Sequence, residues 1–158
     1  MRGPTAVTAT VAVLTTLTLA PVAPAEAATT AGSYGRAAFK ATNQQRVEHG
    51  RVKLRKGDCL HGFAQRQAVR MARREEIYHQ DLQAILEKCD MRLVGENVAA
   101  GFTSGRAVVN QGWMKSKDHR ANILERRYRR MSVVARKGND GRWYVSQVFG
   151  RAARAAGS

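Results

Sequence analysis

Three titratable side chains punctuate the middle of the chain: His79, Glu96 and His119. Glu96 sits in the stretch LVGENVAAG, among Val94, Gly95, Val98, Ala99 and Ala100. An unpaired carboxylate is costly to bury in such small, apolar surroundings. Glu96 must therefore face solvent or be met by donors from elsewhere. His79, in EEIYHQDL, leads into an apolar helical pattern, and His119, in KDHRANIL, precedes Ile123 and Leu124. Two imidazoles and a carboxylate can hold a divalent ion such as zinc with one position left open. The same groups can instead satisfy one another, since a carboxylate accepts and an imidazole both donates and accepts. Their separations, 17 and 23 residues, match no local motif such as HExxH. The residues alone leave both readings open. His49 and His61 lie among charges and read as surface residues.

Other routes to catalysis find less support. Ser104, Ser116 and Ser132 lack a GxSxG or similar setting. Glycoside hydrolysis needs a second carboxylate, and none can be placed beside Glu96. The two cysteines, Cys59 and Cys89, are read through the start of the chain. Residues 1–27 carry one early cation, Arg2, an apolar Thr-rich stretch, and a small-x-small site ending at Ala27. That is the pattern of a cleaved secretory signal peptide. In an oxidising compartment Cys59 and Cys89 are expected to form one disulfide. Two separate buried thiols are the alternative, and a zinc site is disfavoured because no CxxC spacing is present.

Removing residues 1–27 from 158 leaves 131, enough for one domain with a single core. The net charge of +15 is unchanged by that removal, because Arg2 and Glu26 leave together. Such a charge favours anionic partners, here cell-wall or membrane-surface polymers. A solvated basic face that serves solubility is the plainer reading. Nucleic acid is not expected. Trp113, Trp143, Tyr144 and Phe149 sit where core packing explains them, and no nucleic-acid-binding signature appears.

The elements that must position the three residues follow from periodicity. Residues 28–34 read as a flexible junction. In the first helix Phe39, Asn43 and Val47 share a face, and Gly50 stops it. Val52 and Leu54 alternate inward along the next connection, and Asp58 is a candidate cap. A second helix carries a wide apolar stripe of Cys59, Leu60, Phe63, Ala64, Gln67, Ala68, Val69, Met71 and Ala72, with Arg66, Arg70, Arg73 and Arg74 opposite. A short third helix covers QDLQAILEKC, and LVGENVAAG suits a strand and turn. Ser104 caps a fourth helix over GRAVVNQGWMKS. Asp118 starts a short helical piece. The chain then alternates across GNDG, which predicts a β-hairpin. Residues 151–158 read as a frayed tail.

The ordered set AFKATNQQRVEHG, CLHGFAQRQAVRMA, YHQDL, VGENVAAG, VVNQGWMKSKDHRANIL and DGRWYVSQVFG resembles the CAP superfamily. That group joins cysteine-rich secretory proteins, antigen 5 and plant pathogenesis-related proteins. The bacterial SCP-like extracellular proteins are the type it is most similar to. The resemblance implies an α+β domain over residues 35–150: a CAP-type α-β-α sandwich with a small antiparallel sheet between helical layers. It also implies a cleft holding His79, Glu96 and His119, with Gln147, Asn97 and Arg120 beside it. Many relatives carry a second cleft glutamate; VVNQGWMKSKDH shows no acid at the equivalent place apart from Asp118.

Together these imply a secreted, non-catalytic binding module whose cleft takes a divalent metal or a lipid- or sterol-like ligand. The alternative is a metal-dependent extracellular hydrolase, in which the ion would acidify a bound water. No catalytic residue is assigned.

Overall fold

The first helix begins at a threonine that closes on itself. Thr30 Oγ1 accepts from the Ser33 amide at 3.1 Å, and Ser33 Oγ accepts from the Thr30 amide at 2.9 Å. This reciprocal cap satisfies two donors that the helix would otherwise leave open. The computed structural model describes residues 29–153. Residues 1–27, expected to be a signal peptide, lie outside the described residues, as do residues 154–158 of the expected tail.

Helix α1 spans Ala31–Glu48, so most of the stretch expected as a junction is its first turn, and Tyr34 is wholly buried. Its inward face carries Tyr34, Ala38, Ala41, Thr42 and Arg46. Val47, expected inward, is exposed, because Arg46 takes the buried position beside it. A two-residue strand β1, Arg55–Lys56, precedes α2, Asp58–Arg74. Leu54 is buried as expected, whereas Val52 stands exposed. Gly57, not Asp58, is the cap of α2, and Asp58 begins the first turn. There its negative charge still complements the helix N-terminus.

Helix α3, Leu82–Lys88, is capped by Asp81 through the Gln83 amide at 2.9 Å. Strand β2 covers Met91–Ala100. The expected fourth helix is instead three short pieces. Helix α4 is only Gly105–Ala107, followed by a wide π-type turn over Val108–Gly112 and a tight 3-10 turn over Trp113–Lys115. A physical reason is visible at Gly112, where a Cβ would come within 2.6 Å of the Phe102 ring. The irregular backbone brings Val108, Val109 and Trp113 inward together, and Trp113 Nε1 donates to the Val98 carbonyl at 3.2 Å.

Helix α5, Lys117–Leu124, is entered at Ser116, and Asp118 lies in its first turn rather than at the cap. Strands β3, Arg130–Lys137, and β4, Trp143–Ala152, form the expected hairpin. Gly141, at φ +78°, lies in the connecting turn, a left-handed backbone that glycine adopts without penalty. Strand β4 runs on to Ala152, two residues into the segment expected to fray.

The sheet order is β1-β3-β4-β2. Its long pairs are antiparallel, but β1 pairs parallel with β3, so the sheet is mixed rather than purely antiparallel. One face packs Met131, Val133, Ala135, Val145 and Phe149 with α1, Trp113 and α5. The other packs Val134 and Val148 with Leu60, Phe63, Ala64 and Ala68 of α2 and Ile85 of α3. This is the expected α-β-α layering. Each large apolar side chain fully buried in these layers contributes roughly 1.5–3 kcal/mol.

Cys59 and Cys89 are joined, with Cα atoms 5.8 Å apart, tying the start of α2 to the end of α3. The bridge closes a sequence separation of 30 residues. Loop-closure entropy of that size stabilises by about 3.5 kcal/mol. Urea denaturation should therefore show a loss of about that size on reduction and alkylation. Coincident transitions would mean that the crosslink adds nothing.

Candidate functional site

Strand β2 alternates its side chains, so Glu96 and Asn97 leave opposite faces of the sheet. Glu96 pairs across from Val148 and points to the α2–α3 side; Asn97 pairs across from Gln147 and points to the α1 side. The Glu96 side chain is completely buried. Four donors meet it. Oε2 accepts from the Gln80 amide at 3.2 Å and lies 3.0 Å from His79 Nδ1. Oε1 accepts from Gln80 Nε2 at 2.6 Å and from Ser146 Oγ at 2.9 Å. A carboxylate can only accept, with about four lone-pair directions, so this set fills it. The His79 ring accordingly presents Nδ1–H to Glu96 and turns Nε2 outward, and its side chain remains 57% exposed.

The segment that delivers His79 and Gln80 follows α2. It is held where Gln67, fully buried, donates through Nε2 to the Tyr78 carbonyl. On the far side, α5 is fastened to the β2 edge by asparagines. Asn122 Nδ2 donates to the Glu96 carbonyl at 3.1 Å and to Asn97 Oδ1 at 3.0 Å. Asn97 Nδ2 donates to the His119 carbonyl at 3.1 Å. Gly95 makes the seam possible, because a Cβ there would collide with the Tyr128 hydroxyl. Burial pushes the Tyr128 hydroxyl up to about 12, so it stays protonated.

His119 is half-buried on α5. Burial lowers its affinity for a proton, the charge of His79 lowers it further, and Asp118 partly opposes both. The two imidazoles therefore share one electrostatic neighbourhood. His79 and Glu96 are in direct contact; no hydrogen bond joins His119 to either side chain. Among the described residues, no group of three His, Cys, Asp or Glu is placed to hold a metal ion.

The flanking residues divide. Asn97 is buried beneath the site, locking α5 to β2. Gln147 is buried on the sheet face opposite the Glu96 carboxylate, where it accepts from Asn97 at 3.0 Å and donates to Thr42 Oγ1 at 2.8 Å. Arg120 is exposed, and its amide donates to the Ser116 carbonyl. Sequence reasoning missed Gln80, Ser146 and Asn122. Gln80 follows His79 directly, and a buried carboxylate needing several donors was a signal for it. Ser146 is reached only through strand register. Of the serines considered as nucleophiles, Ser104 caps α4 and Ser116 begins α5. Ser132 lies 3.1 Å from His61 Nδ1, and among the described residues no carboxylate bonds the other ring nitrogen.

A model of the cysteine-rich secretory protein family matches residues 39–149. The chain belongs to the CAP family. Solved structures share the fold, among them three bacterial proteins. An outer surface protein of Borrelia burgdorferi is 20% identical, with a TM-score of 0.65 over 73% of this chain and 90% of that one. An SCP-domain extracellular protein of Bacillus anthracis str. Ames is 25% identical, with a TM-score of 0.65 over 76% of this chain. A cysteine-rich secretory protein of Staphylococcus aureus subsp. aureus Mu50 is 21% identical, with a TM-score of 0.65 over 75% of this chain. The CAP chain spans only 41% and 38% of the latter two. No curated protein matches.

Two predictions follow from this geometry. Gly95→Ala should lower stability by about 1–3 kcal/mol through overpacking against Tyr128, read by thermal or urea denaturation; an unchanged midpoint would mean that the seam yields freely. His119 should titrate by NMR below the ordinary histidine value of about 6.5, and His79→Ala should raise its midpoint. The sign for stability follows. Above pH 6.5 neither state gains; as pH falls through that value the unfolded chain takes up the proton first, and stability is lost. A His119 midpoint at or above 6.5 contradicts the burial seen here.

Proposed function

We propose that this CAP domain is an extracellular binding module whose ligand engages the imidazoles of His79 and His119. The observation that carries this reading is the saturated Glu96 carboxylate. It fixes one tautomer of His79 and leaves Nε2 as an outward acceptor beside a second imidazole whose protonation is disfavoured. Ile77, two residues before His79 on the same segment, is 52% exposed and offers apolar surface there. Polar acceptors beside exposed apolar surface suit the hydroxyl headgroup of a lipid- or sterol-like molecule.

A resident zinc ion does not fit the donor set. Zinc sites draw three or four ligands from the protein, and Glu96 would have to surrender bonds to Gln80 and Ser146 to become one. The same saturation weakens the hydrolase reading, because a carboxylate accepting four hydrogen bonds has no direction left to take a proton from water. An extracellular setting is supported by the relatives named as surface, extracellular and secretory proteins. No described helix is long and apolar enough to cross a membrane.

The test is titration of the mature protein with a fluorescent sterol bearing a free hydroxyl, with zinc titrated in parallel by calorimetry. Saturable one-to-one sterol binding, weakened tenfold or more in His79→Ala, is expected. Stoichiometric zinc binding that disappears in the same variant would replace this reading with a metal site.

A further inference from the structure

Away from the Glu96 site lies a groove of about 400 Å³ lined by Val52, Lys53, Arg55, Arg129 and Arg130. Four of the five lining residues are cations and none is an acid. Topology creates this concentration. The parallel pairing of β1 with β3 sets Arg55 directly across from Arg130, and the Arg55 amide donates to the Arg129 carbonyl at 3.0 Å. Neighbouring strands lie about 4.8 Å apart, and like charges placed directly opposite each other are unfavourable.

Nothing in the described chain neutralises them. Arg130 donates to the Lys56 carbonyl, and Arg129 to the carbonyls of Arg126 and Tyr128. Among the described residues neither has a carboxylate partner, and the side chains of Lys53 and Arg55 have no hydrogen-bond or ion-pair partner. Glu125, which opens the basic ERRYRR segment, is taken by Arg127 at 2.9 Å. Behind the groove, wholly buried Arg46 donates through Nε to the carbonyl of Val52, a lining residue. Its Nη1 serves the carbonyls of Ile123 and Glu125, while Nη2 has no partner among the described residues. Burial, then the charges of Arg129 and Arg51, hold the Arg46 guanidinium down at about 10. The wall of the groove thus carries more positive charge than the chain balances.

We propose that this groove binds a linear polyanion whose charges are phosphates. A carboxylate matches one guanidinium fork, whereas a phosphate offers more oxygens on one centre and can bridge facing arginines. The band of charge also continues past β1. Lys56, the next residue, lines the adjacent groove of about 510 Å³ together with Arg36 and Arg136, where Asp58 is the one acid. A polymer can cross β1 from one groove to the other; a single ion occupies only one. This site is independent of the His79–Glu96 pair.

The test is calorimetric titration of the mature protein with linear polyphosphate over a range of salt. Binding should weaken linearly in log–log form as salt rises. Arg55→Ser with Arg130→Ser should weaken binding tenfold or more and lower the salt slope by about 2. His79→Ala should leave it unchanged. Arg106→Ser with Lys115→Ser removes the same charge from exposed positions elsewhere. Equal losses in the two double variants would show a net-charge effect and overturn the proposal, as would no loss in the first. The single Arg55→Ser variant, whose side chain makes no bond, provides the reading if the double variant fails to fold. Tighter binding to phosphatidylglycerol vesicles or single-stranded DNA at matched phosphate would also overturn it, in favour of a membrane or nucleic-acid site.

Discussion

A carboxylate removed from water must be given back the hydrogen bonds it lost, and the site is arranged around meeting that demand at Glu96. Its four donors come from two parts of the chain: three from the adjacent His79 and Gln80, and one from Ser146 on the neighbouring strand. Leaving even one such group unmatched in the interior costs about 1–3 kcal/mol. The segment after α2 is therefore drawn against β2. That in turn fixes where His79 stands and which of its nitrogens looks outward. What began as a buried-charge problem ends as an oriented imidazole at the surface.

The same strand shows how one element serves two layers. Residue 96 belongs to the site, while residue 97, one step along, belongs to the opposite core. Asn97, Asn122 and Gln147 form an amide chain that binds α5 to the sheet and reaches Thr42 on α1. Asn122 also blunts the open edge of β2 by taking the Glu96 carbonyl. His119 is carried into place by this scaffold rather than by a bond of its own ring. The two edges of the sheet consequently differ: one is closed by amides beside the imidazole pair, the other gathers unbalanced cations on β1 and β3.

Much of this was legible from residue order, for identifiable reasons. The helical faces of α2 and the β-hairpin follow from local periodicity, which burial on one side imposes directly. The cysteine pairing followed from there being only two. The errors were also physical. Val47 and Val52 are apolar and well phased, yet exposed, because Arg46 found enough carbonyl acceptors to occupy the interior in their neighbourhood. The segment expected as a regular fourth helix broke into wide and tight turns where Gly112 lets the Phe102 ring approach. Period-two alternation alone could have separated Asn97 from Glu96.

The sequence by itself determined the family, the α+β composition, the hairpin and the identity of the residues with chemistry to offer. Each of these is written in local pattern or in an ordered set of motifs. Tertiary structure decided which groups meet. Strand register put Ser146 on Glu96 and Gln147 on the far face, packing brought Gln80 to the carboxylate, and a two-residue parallel pairing set Arg55 across from Arg130. Those outcomes depend on contacts between residues tens of positions apart, where a shift of one residue reverses the face and hence the chemistry.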